Sequence, residues 1–206
     1  VLHRADFCQR GGAFDAYQAA STARELREAG LQLPCFDTPC DLSTPVEKEA
    51  AQTLLERARL AQAPYVAFCA LHENEDMVRL NLETLLPMAQ EKSVVLLLKT
   101  TGIYADTARL RTLMDSFASD QLAALWDMHH PYRDQGESAA DTIRHLGAYV
   151  RHVHLHDSDD AETYTLIGEG SLPVDEMMRA LSSIDYDGFL SLEWKPEWMD
   201  DLTDPE

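Results

Sequence analysis

Five consecutive β-branched or leucine residues, Val94–Leu98, leave this chain fewer folding choices than any other stretch. A run without polar alternation must be hidden on both faces, as in a parallel strand with helices packed above and below it. A parallel neighbour is reached only through a crossover, so strands and helices should take turns along the sequence. Strand-like runs do recur at Val1–Ala5, Leu31–Phe36 (interrupted by Pro34), Tyr65–Cys69, Ala123–Trp126, Val150–His156 and Phe189–Leu192. Segments of helical character separate them.

Phe14, Tyr17, Ala20, Ala23 and Leu26 recur at helical spacing ahead of Gly30, where a C-cap glycine belongs. Thr44-Pro45-Val46-Glu47 reads as a capping box opening a helix to about Gln62. A helix over Leu80–Gln90 should kink or break at Pro87. Asp106 caps the segment carrying Leu110, Leu113, Met114 and Phe117, and further helices fall near Ala139–Leu146 and Asp175–Ser182. No linker or low-complexity segment divides the chain, so residues 1–206 read as one α/β domain. An open doubly wound sheet and a (β/α)8 barrel both satisfy the alternation. The absence of GxGxxG and GxxxxGK[ST] loops weakens the nucleotide-binding version.

Lys and Arg number 17 against 36 Asp and Glu, for a net charge of −19. Such a surface repels phosphate backbones and anionic lipid, which argues against nucleic-acid and membrane partners. No apolar run reaches the length of a membrane span, and Val-Leu-His-Arg-Ala-Asp lacks the layout of a signal peptide. Cys8, Cys35, Cys40 and Cys69 form no CxxC pair and read as reduced thiols, so a cytoplasmic location is expected.

Four apolar runs end in an ionisable residue: Val94–Leu98 in Lys99, Ala123–Trp126 in Asp127, Val150–His156 in Asp157, and Phe189–Leu192 in Glu193. Polar residues at successive strand ends favour the barrel, whose C-terminal rim is the active site. His152, His154 and His156 alternate and therefore share one face of their strand. Asp127, His154 and Glu193 would then converge as an O,N,O set for Mn²⁺, Mg²⁺, Co²⁺ or Zn²⁺, with positions open to water or substrate. Each residue taken singly has a blander reading: a helix-capping Asp, the wet face of an edge strand, a surface Glu. Their joint recurrence on successive strands favours a site.

Asp127-Met128-His129-His130, His152-Val153-His154-Leu155-His156-Asp157, Gly168-Glu169-Gly170 and Tyr186-Asp187-Gly188-Phe189 with Ser191-Leu192-Glu193-Trp194 follow one another over about Val94–Trp194. In order and spacing they resemble the signatures of the xylose isomerase-like TIM-barrel superfamily, which includes sugar-phosphate isomerases and epimerases, hydroxypyruvate isomerase, inosose dehydratase and endonuclease IV. Phe14–Cys69 resembles it more loosely. The resemblance implies a (β/α)8 barrel with metal ligation by Asp127, His154 and Glu193. It also implies a substrate contact at His130, His156 and Glu169 beside the site, and proton transfer by Glu193. A sugar or sugar phosphate would be the substrate. Phosphodiester cleavage of the endonuclease type needs more ligands and a basic face that this chain lacks.

Two departures from the family matter. Lys99 stands where a metal-binding Glu is usual, and a dication beside a buried ammonium should lower both metal affinity and the lysine pKa. A Lys99 of depressed pKa would be a second base for epimerisation; without it, Glu193 alone favours aldose–ketose isomerisation. Counting back, Val1–Ala5 corresponds to the family's second strand and His3 stands where a Glu is frequent, so the first βα unit is missing or altered. An unclosed barrel exposes strand edges that a second copy would cover. The expected function is a metal-dependent sugar isomerase or epimerase working through an enediolate. The alternatives are a polyol dehydratase using the same site and a non-catalytic sugar-binding relative that has lost its metal.

Overall fold

A computed structural model describes residues 12–193. Six strands, all parallel, form one curled sheet in chain order: β1 (Cys35–Asp41), β2 (Tyr65–Cys69), β3 (Val95–Lys99), β4 (Leu122–Asp127), β5 (Val150–Leu155) and, after a short hairpin, β8 (Leu190–Leu192). The hairpin pairs β6 (Asp157–Ser158) antiparallel with β7 (Tyr164–Thr165). Helix α1 (Ala19–Glu28) precedes β1, and α2 (Lys48–Ala61), α3 (Glu75–Lys92), α4 (Thr107–Phe117), α5 (His129–Gln135), α6 (Ala139–Leu146) and α7 (Val174–Ser182) fill the crossovers. This is the wall of a TIM-type barrel, the version of the alternation that the polar strand ends and the family resemblance favour.

Two-residue periodicity divides each strand between two cores. Phe36, Val66, Phe68, Leu96, Leu98, Leu122, Ala124 and Trp126 face outward into one buried cluster with the helices. Cys35, Ala67, Leu97, Ala123 and Leu125 face inward and form a second, smaller one. The parallel register aligns Ala67 with Leu97 and Leu97 with Ala123, so the inward residues stack in layers across the barrel. With both faces covered, the β3 run can be apolar throughout.

The elements depart from the sequence reading in local detail. β1 begins at Cys35, beyond Pro34, and lies at an edge of the described sheet. Pro39 falls where its pairing with β2 shifts register, the place where a missing N–H costs least. Thr44 does not cap α2; its hydroxyl donates to the Asp41 carbonyl, and the helix starts at Lys48. Pro87 does not break α3, which runs from its cap at Asn74 through to Lys92. Pro87 and Glu83, whose carbonyl loses its donor, are both exposed, so water can take the bond. Asp106 does cap α4, and Ser138 caps α6. Cys35, Cys40 and Cys69 carry no disulfide. No helix among the described residues is long and apolar enough to cross a membrane. The expected strand Val1–Ala5, and the tail from Pro196, lie outside the described residues.

Candidate metal centre

The inward faces end in polar side chains at the C-terminal rim: Asp37 on β1, Lys99 on β3, Asp127 on β4, His154 on β5 and Glu193 just past β8. Register sets Asp127 opposite His154, and His154 opposite Ser191, two residues before Glu193. Lys99, Asp127 and Glu193 border a cavity of about 290 Å³ whose wall also includes His130, His156 and Tyr164. The three alternating histidines point inward and are buried. His152 sits deepest against the Ser191 hydroxyl, at 2.8 Å.

Two donor sets share Glu193. Ligand atoms of Asp127, His156 and Glu193 all lie within 4.8 Å of one another, as do those of Asp37, His154 and Glu193. His156 Nε2 is 2.8 Å from Asp127 Oδ1, and His154 Nδ1 is 3.2 Å from Glu193 Oε2. The expected trio is thus brought to one place but divided: Glu193 meets Asp127 in the company of His156, and meets His154 in the company of Asp37. Buried carboxylates and imidazoles a few ångströms apart are a donor set that a divalent cation fits. Burial opposes the charge on Asp127, yet the neighbouring imidazoles, His156 foremost, hold its carboxyl well below the usual range.

Lys99 has an acidic partner across the barrel. Its ammonium lies 2.6 Å from Asp37 Oδ1, and both side chains are largely buried. Burial disfavours the charge, but Asp37, followed by Glu193 and Asp127, outweighs it and raises the lysine pKa. The lowering expected from a bound dication is a separate effect, which this pairing opposes. The carboxylate responsible, Asp37, is not among the residues singled out from the sequence. Leu31–Phe36 followed by Asp37 repeats the pattern of an apolar run ending in a charge, and that signal points to it.

Around this centre the β4–α5 turn and the hairpin build a wall. His130 Nδ1 is 3.0 Å from Asp134, with Nε2 4.0 Å from Asp127 Oδ2, so one carboxylate orients the ring toward the other. The rings of His129, His156 and Tyr164 stack with centroids 4.7 to 5.3 Å apart. Burial lowers the His129 pKa to about 4 and raises that of Tyr164 to about 12. Asp157 faces the following loop: its carboxylate accepts from the backbone N–H of Ser158, Gly168, Gly170 and Leu172. A Cβ at Gly170 would lie 2.1 Å from Asp157 Oδ1, so only glycine fits there. Arg133 reinforces the loop through the Ser158 carbonyl and hydroxyl and the Ser171 hydroxyl. Glu169 is exposed on the same loop and is not part of the cavity wall.

Comparison with known proteins gives one account of this architecture. The family model described as "Xylose isomerase-like TIM barrel" matches residues 3–205. A fructoselysine 3-epimerase of Escherichia coli O157:H7 is 33% identical over 84 residues, which span 40% of this chain and 30% of that protein. The Shigella flexneri enzyme of the same name matches equally. Among solved structures, a D-tagatose 3-epimerase-like protein superposes with a TM-score of 0.74 at 16% identity, covering 89% of this chain and 78% of its own. A xylose isomerase domain protein from Planctomyces limnophilus gives 0.74 at 17% identity over 88% and 78%. The IOLI protein with a bound zinc atom gives 0.72 at 15% identity over 89% and 75%. These structural likenesses establish the fold.

Proposed function

The chain belongs to the xylose isomerase-like TIM-barrel family, and from that premise we propose that it is a metal-dependent sugar isomerase or epimerase that moves a proton next to a carbonyl. The observation that carries the reading is the meeting of Asp127, Glu193 and His156, with His154 beside Glu193, at the open rim of the barrel. Asp127, Glu193 and an imidazole from His154 or His156 would hold the ion, with Mn²⁺, Mg²⁺, Co²⁺ or Zn²⁺ as candidates; a zinc atom in the IOLI protein supports that choice of chemistry. A divalent cation held there would polarise the substrate carbonyl and favour the enediolate.

Glu193 is the base: a buried carboxylate at the cavity wall, positioned to take a proton from carbon and return it. His130, oriented by Asp134, contacts a substrate hydroxyl. Lys99, paired with Asp37, donates to an oxygen on which negative charge develops. A single base favours aldose–ketose isomerisation, whereas the curated relatives favour epimerisation at a ketose carbon. Incubating a ketose panel in deuterated buffer with each metal separates the two, since isomerisation labels C1 and 3-epimerisation labels C3. Glu193→Gln should slow uptake by at least about a hundredfold. Absence of uptake from every sugar with every metal would leave the non-catalytic sugar-binding relative, and a dehydrated product would identify the polyol dehydratase.

A further inference from the structure

We infer that this site accepts a sugar that bears no phosphate, and that Asp37 enforces the choice by neutralising Lys99; the inference rests on the isomerase or epimerase reading above. A phosphate ester needs cationic side chains or converging backbone amides to replace its water. Among the described residues of the cavity wall, Lys99 is the one lysine or arginine, set against the carboxylates of Asp127, Asp134 and Glu193. Its ammonium is already paired at 2.6 Å with Asp37, so it can donate a hydrogen bond to a substrate oxygen but brings no surplus charge to balance a dianionic ester.

Backbone amides that could bind an anion are also committed. In the loop after β7, the amides of Gly168, Gly170 and Leu172 converge on one point, and the Asp157 carboxylate fills it. At the start of α5 the His129 amide donates to Asp127. Arg133, the guanidinium nearest that loop, is taken up by Ser158 and Ser171, with Asp160 3.7 Å away. Thr38, Thr101 and Tyr164 supply uncharged polar groups at the wall, which suit sugar hydroxyls. Uncharged ketoses, and sugars carrying an amino group, fit this wall; dianionic esters do not.

The test is ligand-observed NMR titration of the Mg²⁺-loaded full chain with D-fructose, D-psicose and D-tagatose, and with D-fructose 6-phosphate and D-tagatose 6-phosphate. Inorganic phosphate alone reports anion capture. The expected result is binding of at least one free ketose, with its ester at least tenfold weaker. In Asp37→Asn the unmasked ammonium should narrow that ratio at least threefold. An ester that binds as tightly as its parent sugar overturns the inference and leaves the proposed function standing. An unchanged ratio in a folded Asp37→Asn protein overturns the role of Asp37. Should that variant not fold, the wild-type ratio still decides. Failure of every sugar, free or esterified, to bind overturns the proposed function and this inference with it.

Discussion

Replacing Lys99 by Met gives the most direct reading of what the buried ion pair does for the fold. Two unit charges 2.6 Å apart attract by about 6 kcal/mol at an effective dielectric constant of roughly 20. Desolvation of both groups cancels most of that, so the pair as a whole adds little net stability. Removing one partner is different, because it strands the other charge away from water at a cost of about 3–5 kcal/mol. Lys99→Met and Asp37→Asn should therefore each destabilise by that amount, lowering Tm by roughly 6–20 °C for a chain of this size. The double variant, with neither charge, should recover at least about 2 kcal/mol relative to the sum of the singles. Guanidinium denaturation of the four proteins at pH 7 in the presence of a chelator closes the cycle. Because the folded lysine pKa is raised, the pair's contribution is fully present below the unfolded lysine value near 10.4. It is lost only as pH rises through the folded value. Additivity within about 0.5 kcal/mol would refute the coupling and with it the placement of Lys99 on Asp37.

Lys99→Glu puts a third carboxylate beside Asp37 and Glu193, so the metal-free variant should melt below wild type. Mn²⁺ should then raise its Tm by more than it raises wild type; equal metal responses in a thermal-shift assay would refute this. His129 and His152, with pKa values lowered to about 4 and about 3 by burial, are neutral in the folded chain. Unfolding lets them take up protons below about pH 6.5, so stability falls with pH, by about 2 kcal/mol for each at pH 5. A urea midpoint that stays constant between pH 7 and pH 5 would contradict it. Gly170→Ala drives a methyl into the Asp157 carboxylate and should cost about 2 kcal/mol or more. Faster amide exchange at Gly168 and Leu172 should report the loosened loop.

Much of the barrel could be read from the chain because its cause is local. Val94–Leu98 is apolar on both sides since helices cover one face and the inner cluster the other, and period two carried the inward set to Lys99, Asp127 and Glu193. Alternation likewise placed His152, His154 and His156 on one face, as observed. What alternation does not contain is the choice between neighbours on that face. Whether Glu193 meets Asp127 beside His154 or beside His156 depends on side-chain rotation and on Asp37 across the barrel. The partner of Lys99 is hidden from the sequence for the same reason: Asp37 lies on another strand, sixty-odd residues earlier in the chain. Asp157 ends an apolar run as Asp127 does, yet turns to the loop amides, a distinction made by Gly168 and Gly170 and not by the strand.

The central claim is that Asp127, Glu193 and a β5 imidazole hold one divalent ion. Anomalous diffraction from crystals grown with Mn²⁺ tests it most directly. The account predicts a single strong peak within about 2.0–2.4 Å of oxygens from Asp127 and Glu193 and of a nitrogen from His154 or His156. A well-ordered site with no peak at millimolar Mn²⁺, or a peak held by other residues, would contradict it.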